Sequence, residues 1–130
     1  MTPANLTDEE LDALVATEVM GWEKRAALPE VDINHPLYWF DADGERQKWV
    51  YGWFPSTSIA DAWEVVEKFG YYESNNCAHQ HTWYLEQMPV QAGQKFAKAS
   101  APTAPRAICL AALRAVGWGW GGEREHDGAV

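Results

Sequence analysis

The stretch Ser56 to Gly70, STSIADAWEVVEKFG, constrains the fold most, because its start, face and stop can all be read from the residues. Ser58 is placed to cap a helix, and Asp61 three residues on completes a capping-box pattern while favouring the positive end of the helix dipole. Ile59, Ala62, Trp63, Val66 and Phe69 fall at helical spacing, so the spacing predicts one apolar stripe to be buried. Gly70 is the expected stop. A helix this short needs tertiary partners, so the rest of the chain must supply a surface for that stripe.

A second helix is predicted at the start, from about Asp8 to Met20. Thr7 and Glu10 form a T-x-x-E capping box, Leu6 and Leu11 are spaced as a hydrophobic staple, and Gly21 ends it. Leu11, Leu14, Val15, Val19 and Trp22 make its buried stripe, and Asp8, Glu9, Asp12 and Glu18 are expected to face water. A third helix is predicted from Ala104 to Val116, capped by Thr103, with Pro105 in its first turn and Gly117 as its end. It is apolar around most of its circumference, which predicts burial on two sides, or burial on one and self-association on another.

Between the helices the period changes. Leu37 to Phe40 and Gln47 to Phe54 read as strands joined by the turn Asp41-Ala42-Asp43-Gly44, a hairpin rather than a calcium loop because the longer ligand spacing and closing glutamate are missing. Tyr71 to Glu73, His79 to Met88 and Lys95 to Ala99 read as an antiparallel meander with turns at Asn75-Asn76 and Gln91-Ala92-Gly93. The expected class is α+β: a small antiparallel sheet of three or more strands packed by three helices. One domain is expected over residues 1–121, with an aromatic insertion at 23–54 and a loose tail at 122–130.

Charge narrows the partners. The formal net charge is −9, and residues 1–45 hold 11 acids against Lys24 and Arg25, while the middle of the chain is close to neutral. Such a balance disfavours direct nucleic-acid binding, which requires clustered Lys and Arg. An α-β-β-β-α order also describes double-stranded-RNA-binding domains, but the last helix begins Thr103-Ala104-Pro105-Arg106-Ala107 without the lysine cluster that grips phosphate. No apolar run is long enough to span a membrane, and the N-terminus lacks a secretory pattern. Two cysteines, Cys77 and Cys109, do not make a disulfide framework. A cytoplasmic protein is expected.

Two candidate sites emerge. Pro55-Ser56-Thr57-Ser58 offers hydroxyls beside unpaired N–H groups at a helix N-terminus, the chemistry that attracts phosphate or carboxylate. Trp39, Trp49 and Trp53 are placed to stack on a base, with Arg46, Lys48 and Arg106 as cations, so Trp39, Arg46, Trp49, Trp53, Ser56, Thr57, Ser58 and Arg106 form a candidate anionic-nucleotide site. The alternative is that the serines only cap the helix and the tryptophans fill the core. In Cys77-Ala78-His79-Gln80-His81, residues two apart share one face of a strand, so Cys77, His79 and His81 are the candidates for zinc, against the alternative of ordinary half-buried strand residues. No cofactor is expected. Catalytic signatures are missing: there is no P-loop, G-x-S-x-G or H-E-x-x-H, and His35, His79, His81 and His126 have no evident partners.

The runs PSTSIADAWEVVEKFG (55–70), APTAPRAICLAALRAVG (101–117) and LDALVATEVMGW (11–22) together resemble the phage ABA sandwich domain, a family of small tailed-phage and prophage proteins of mostly unknown function. The resemblance implies an α/β sandwich made in the cytoplasm of an infected bacterium, and an accessory role such as countering host defence. It carries over no active-site residues. Joined to the candidate nucleotide site, it leads to the expectation of a non-enzymatic, homo-oligomeric protein that sequesters a small anionic signal, a cyclic oligonucleotide or an ADP-ribose derivative. The alternatives are an acidic inhibitor that binds a basic host factor, or a small zinc-binding protein.

Overall fold

The computed structural model describes residues 5–26, 37–77, 79–86 and 97–117. Helix α1 (Asp8–Leu14) opens with the expected capping box: Thr7 Oγ1 accepts from the Glu10 N–H, and the Glu10 carboxylate accepts from the Thr7 N–H. It runs into one π-helical turn, Val15–Val19, and Gly21 at φ 75° ends it in the left-handed region that favours glycine. The chain then forms β1 (Glu23–Ala26), β2 (Leu37–Phe40), β3 (Arg46–Trp49), a 3-10 turn (Val50–Gly52), α2 (Ile59–Val66), β4 (Tyr71–Asn76), β5 (His81–Glu86), β6 (Lys98–Ala101) and α3 (Ala104–Ala115). Among the described residues, three α-helices and two three-stranded antiparallel sheets, β1-β2-β3 and β4-β5-β6, give the expected α+β sandwich.

The centre of the fold is α3. Every residue from Ala107 to Leu113 is buried, which satisfies the two-sided alternative within a single chain. It packs on β5 and β6 from one side and on α2 and the π-helical turn from others. Its alanines let those elements approach closely. Beneath it, Trp83 and Leu85 of β5 point to the core, and Trp83 is paired with the small Ala99 of β6. Large side chains on one strand thus meet small ones on its neighbour, the interdigitation that close packing requires.

Helix α2 is capped by Ser58 as expected, the Asp61 N–H donating to Ser58 Oγ at 3.3 Å. Its buried face is Ala62, Val65 and Val66, with Phe69 buried just beyond its end, so the stripe is turned from the expected one and leaves Ile59 and Trp63 exposed. Trp63 packs edge-on against Tyr72 and Trp83, which draws its ring toward the sheet edge rather than the core. The Asp61 carboxylate does not close a capping box either; it accepts from the Phe54 N–H at 2.8 Å.

Strand β1 is absent from the expectation, since Glu-Lys-Arg-Ala lacks an apolar alternation. Its partner explains it. Lys24 lies over the Trp39 ring and Arg25 over Phe40, while Arg46 from β3 lies over Tyr38, so the aromatic strand β2 receives cations from both flanking strands. The β2–β3 connection is the expected turn: Asp41 Oδ1 accepts from the N–H groups of Asp43 and Glu45, both at 2.9 Å, and Gly44 sits at φ 83°. The Glu45 N–H, foremost among several hydrogen bonds, holds the Asp41 pKa below its ordinary value. In the second sheet Asn75 and Asn76 continue β4, and the turn falls at Cys77–Gln80 instead. The expected turn at Gln91-Ala92-Gly93 and the tail at 122–130 lie outside the described residues.

Candidate binding cleft

The cleft begins with a tether between residues far apart in sequence. Asp12, expected to face water, is buried, because its carboxylate is needed inside: Oδ1 accepts from the buried Ser56 N–H at 2.7 Å. Ser56 Oγ donates to the Asp8 carbonyl at 3.4 Å. Burial, reinforced by the charges of Asp8 and Asp61, raises the Asp12 pKa from 3.8 to about 6, and the Ser56 hydrogen bonds only partly oppose it. At the other end of the pair, Arg106 of α3 bridges to Asp8 Oδ1 at 3.0 Å and donates to the Leu6 carbonyl at 2.7 Å. Helix α1 is thereby fixed to the loop before α2 and to the start of α3.

Between α1, the first sheet and the 3-10 turn lies a cleft of about 400 Å³, lined by Asp8, Glu9, Asp12, Ala13, Lys24, Trp39, Val50, Tyr51, Trp53, Phe54 and Thr57. Its size falls within the range of small-ligand sites. Trp39 and Trp53 form buried wall, at 3% and 2% exposure, whereas Tyr51 and Phe54 are exposed. Trp53 packs edge-on against Trp22 at 4.8 Å between centroids, and Lys48, paired with Glu64 at 2.8 Å, lies over its ring.

Of the eight residues expected to bind an anion, the cleft brings together three: Trp39, Trp53 and Thr57. Trp49 turns outward against Tyr51, and Arg46 stacks on Tyr38. Ser56 is buried by its tether, Ser58 caps α2, and Arg106 is engaged by Asp8. The N–H groups ahead of α2 are taken as well: those of Thr57 and Ser58 both donate to the Phe54 carbonyl, at 3.1 and 2.7 Å. Asp12 and Asp61 already supply the negative charge that this helix start would attract. The expected phosphate cradle at Ser56 to Ser58 is therefore occupied from within the chain, by the Asp12 carboxylate at Ser56 and the Phe54 carbonyl at Thr57 and Ser58.

The zinc candidates do not converge. Cys77 and His79 lie in the turn, where the Cys77 N–H donates to the Gln80 carbonyl at 2.8 Å, and β5 begins only at His81. His81 Nδ1 is 2.8 Å from Asn76 Oδ1 across the strand pair. The alternation that would align all three side chains is broken by the turn. Among the described residues no group of three His, Cys, Asp or Glu is placed to hold a metal ion. Cys109 is buried in α3, and burial pushes its thiol pKa well above the ordinary value.

The cleft residues outside the expected anion site are Asp8, Glu9, Asp12, Ala13, Lys24, Val50, Tyr51 and Phe54. A signal existed for Asp12: it shares the helical face of Val15 and Val19, three and seven residues away, and so borders the buried stripe. Nothing local marks the others.

The fold is a small α+β sandwich with an aromatic, acid-lined cleft beside its first helix. The phage ABA sandwich domain model matches residues 13–113, and the chain belongs to that family. The 2.0 Å crystal structure of a phage protein from Bacillus cereus ATCC 14579 is similar in fold, with a TM-score of 0.55 and 22% identity over 85% of this chain and 88% of that one. Comparison with the curated proteins finds no match. Among the described residues, no helix is long and apolar enough to cross a membrane.

Proposed function

We propose that this phage protein is a non-enzymatic accessory protein, made in the infected cytoplasm, that counters a host defence factor by binding a basic surface of it through the cleft beside α1. The carrying observation is the lining itself: Asp8, Glu9 and Asp12 against a single base, Lys24, around Trp39, Tyr51, Trp53 and Phe54. Complementary charge steers such a partner and fixes its register. Sequestration of a cyclic oligonucleotide or ADP-ribose derivative is the second reading, favoured by the aromatic walls that would stack on a base. It meets the cost of placing phosphates among three carboxylates.

A thermal-shift screen separates the two. A nucleotide at a hundred times its Kd would stabilise the fold by about 2.7 kcal/mol. The expected outcome is no shift with cyclic dinucleotides, cyclic trinucleotides or cyclic ADP-ribose isomers. A basic host protein is expected to bind instead, with affinity that falls at high salt and on Glu9→Lys. A nucleotide that stabilises the wild type and quenches its tryptophans would reverse this order.

Self-association is part of the same reading, but its surface changes. With α3 buried inside the chain, the apolar surface proposed for self-association is Ile59 and Trp63 on α2, where Trp63 packs edge-on against the exposed Tyr72 of β4. Trp63→Arg is expected to shift the protein to monomer in sedimentation; an unchanged sedimentation coefficient would remove that surface from the account.

A further inference from the structure

The geometry points to an arginine side chain of a partner protein as the group that enters the cleft, which names the ligand chemistry of the binding reading above and rests on it. Charge comes first: the lining carries three acids and one base, and with Asp8 already paired to Arg106, Glu9 and Asp12 against Lys24 still favour an entering cation over an anion. The rings come second. Aromatic faces here already attract cations, Lys24 Nζ lying 5.8 Å from the Trp39 centroid and Lys48 Nζ 5.8 Å from that of Trp53. The third observation is independent of both. Trp53, a cleft wall only 2% exposed, has an indole N–H with no acceptor among the described residues.

An arginine within a peptide answers all three. Its planar guanidinium stacks on a ring face, its forked donors suit adjacent carboxylates, and it is more weakly hydrated than an ammonium. The Trp53 N–H is fully buried in the free protein, so the peptide's main-chain carbonyl reaches it as an acceptor only by displacing the side chains that cover it. Lysine offers only a point charge, and its stronger hydration opposes entry among the rings.

The test follows indole N–H resonances of the full chain by NMR while capped Gly-Arg-Gly, Gly-Lys-Gly and Gly-citrulline-Gly are titrated into the millimolar range. The arginine peptide is expected to move the Trp39 and Trp53 resonances, the lysine peptide to bind several-fold more weakly, and the uncharged citrulline peptide at least about ten-fold more weakly. Glu9→Gln, an exposed change that leaves the buried tether alone, is expected to weaken the arginine peptide roughly two- to five-fold. Lys24→Met is expected to tighten it by a similar factor, where an anion-binding cleft would respond in the opposite sense. Equal binding of arginine and citrulline peptides, or weaker binding after Lys24→Met, overturns the inference. A basic host partner that binds through Glu9 while the arginine peptide leaves both indoles unmoved overturns this inference alone; loss of both removes the binding reading with it.

Discussion

Raising the pH from 4 to 7 is expected to weaken the fold through Asp12, and Asp12→Asn is expected to abolish that loss. The folded pKa of about 6 lies above the ordinary 3.8, so between these values the native state holds a proton that the unfolded chain has released. Stability from this group is therefore fully present below about pH 3.8, declines as pH rises, and is lost above about pH 6. The difference of about two units corresponds to roughly 3 kcal/mol. Burial is its main cause, with Asp8 and Asp61 adding to it and Ser56 opposing it. Urea unfolding of wild type and Asp12→Asn at several pH values isolates the effect from the other carboxylates. Asparagine keeps an acceptor for the Ser56 N–H and cannot ionise, so the gap between the two proteins should open by roughly 3 kcal/mol in its favour toward pH 7. A gap independent of pH would mean that Asp12 ionises like an exposed acid. Asp12→Ala, by contrast, leaves the buried Ser56 N–H without its acceptor and should cost about 1–3 kcal/mol.

The same residue marks the boundary of what sequence reading can reach. Capping at Thr7, Ser58 and Thr103 is local chemistry, written within three or four residues, and all three caps form, although Asp61 turns to the Phe54 N–H and does not close the box read at Ser58. The β4-β5-β6 meander also follows from local signals, although its first turn lies two residues beyond Asn75, because cross-strand pairing of Asn76 with His81 holds the asparagines in the strand. The Asp12–Ser56 tether joins residues 44 apart, so although helical spacing sets Asp12 at the border of the buried stripe, nothing local names the N–H that it accepts from. Strand β1 escaped for a similar reason: the stems of Lys24 and Arg25 acquire their apolar partners only once β2 lies alongside. The electrostatic sign of the cleft is a property of assembly too. It follows when α1 brings three acids to walls contributed by β2 and the 3-10 turn.

Trp53→Ala is expected to cost about 3–5 kcal/mol, the range for truncating a buried large aromatic. The ring is 2% exposed and meets Trp22 edge-on at 4.8 Å, so removing it leaves a cavity between the first sheet and the end of α1. Against a total stability of roughly 5–15 kcal/mol for a domain of this kind, that loss is large enough to confound any binding assay. Trp53→Phe should cost much less, because part of the ring remains and the buried indole N–H, which has no acceptor among the described residues, is removed. Trp49, about half exposed, provides the control: Trp49→Ala should stay within about 0.5 kcal/mol of wild type. Urea denaturation midpoints rank the three variants, and a Trp53→Ala midpoint near that of Trp49→Ala would show that the ring is not packed as described. The consequence reaches back to function. A tryptophan that reads in sequence as a stacking platform is first a structural wall, so Trp53→Phe, which keeps an aromatic ring in the core and removes the indole donor, is the variant that separates its role in the cleft from its role in the core.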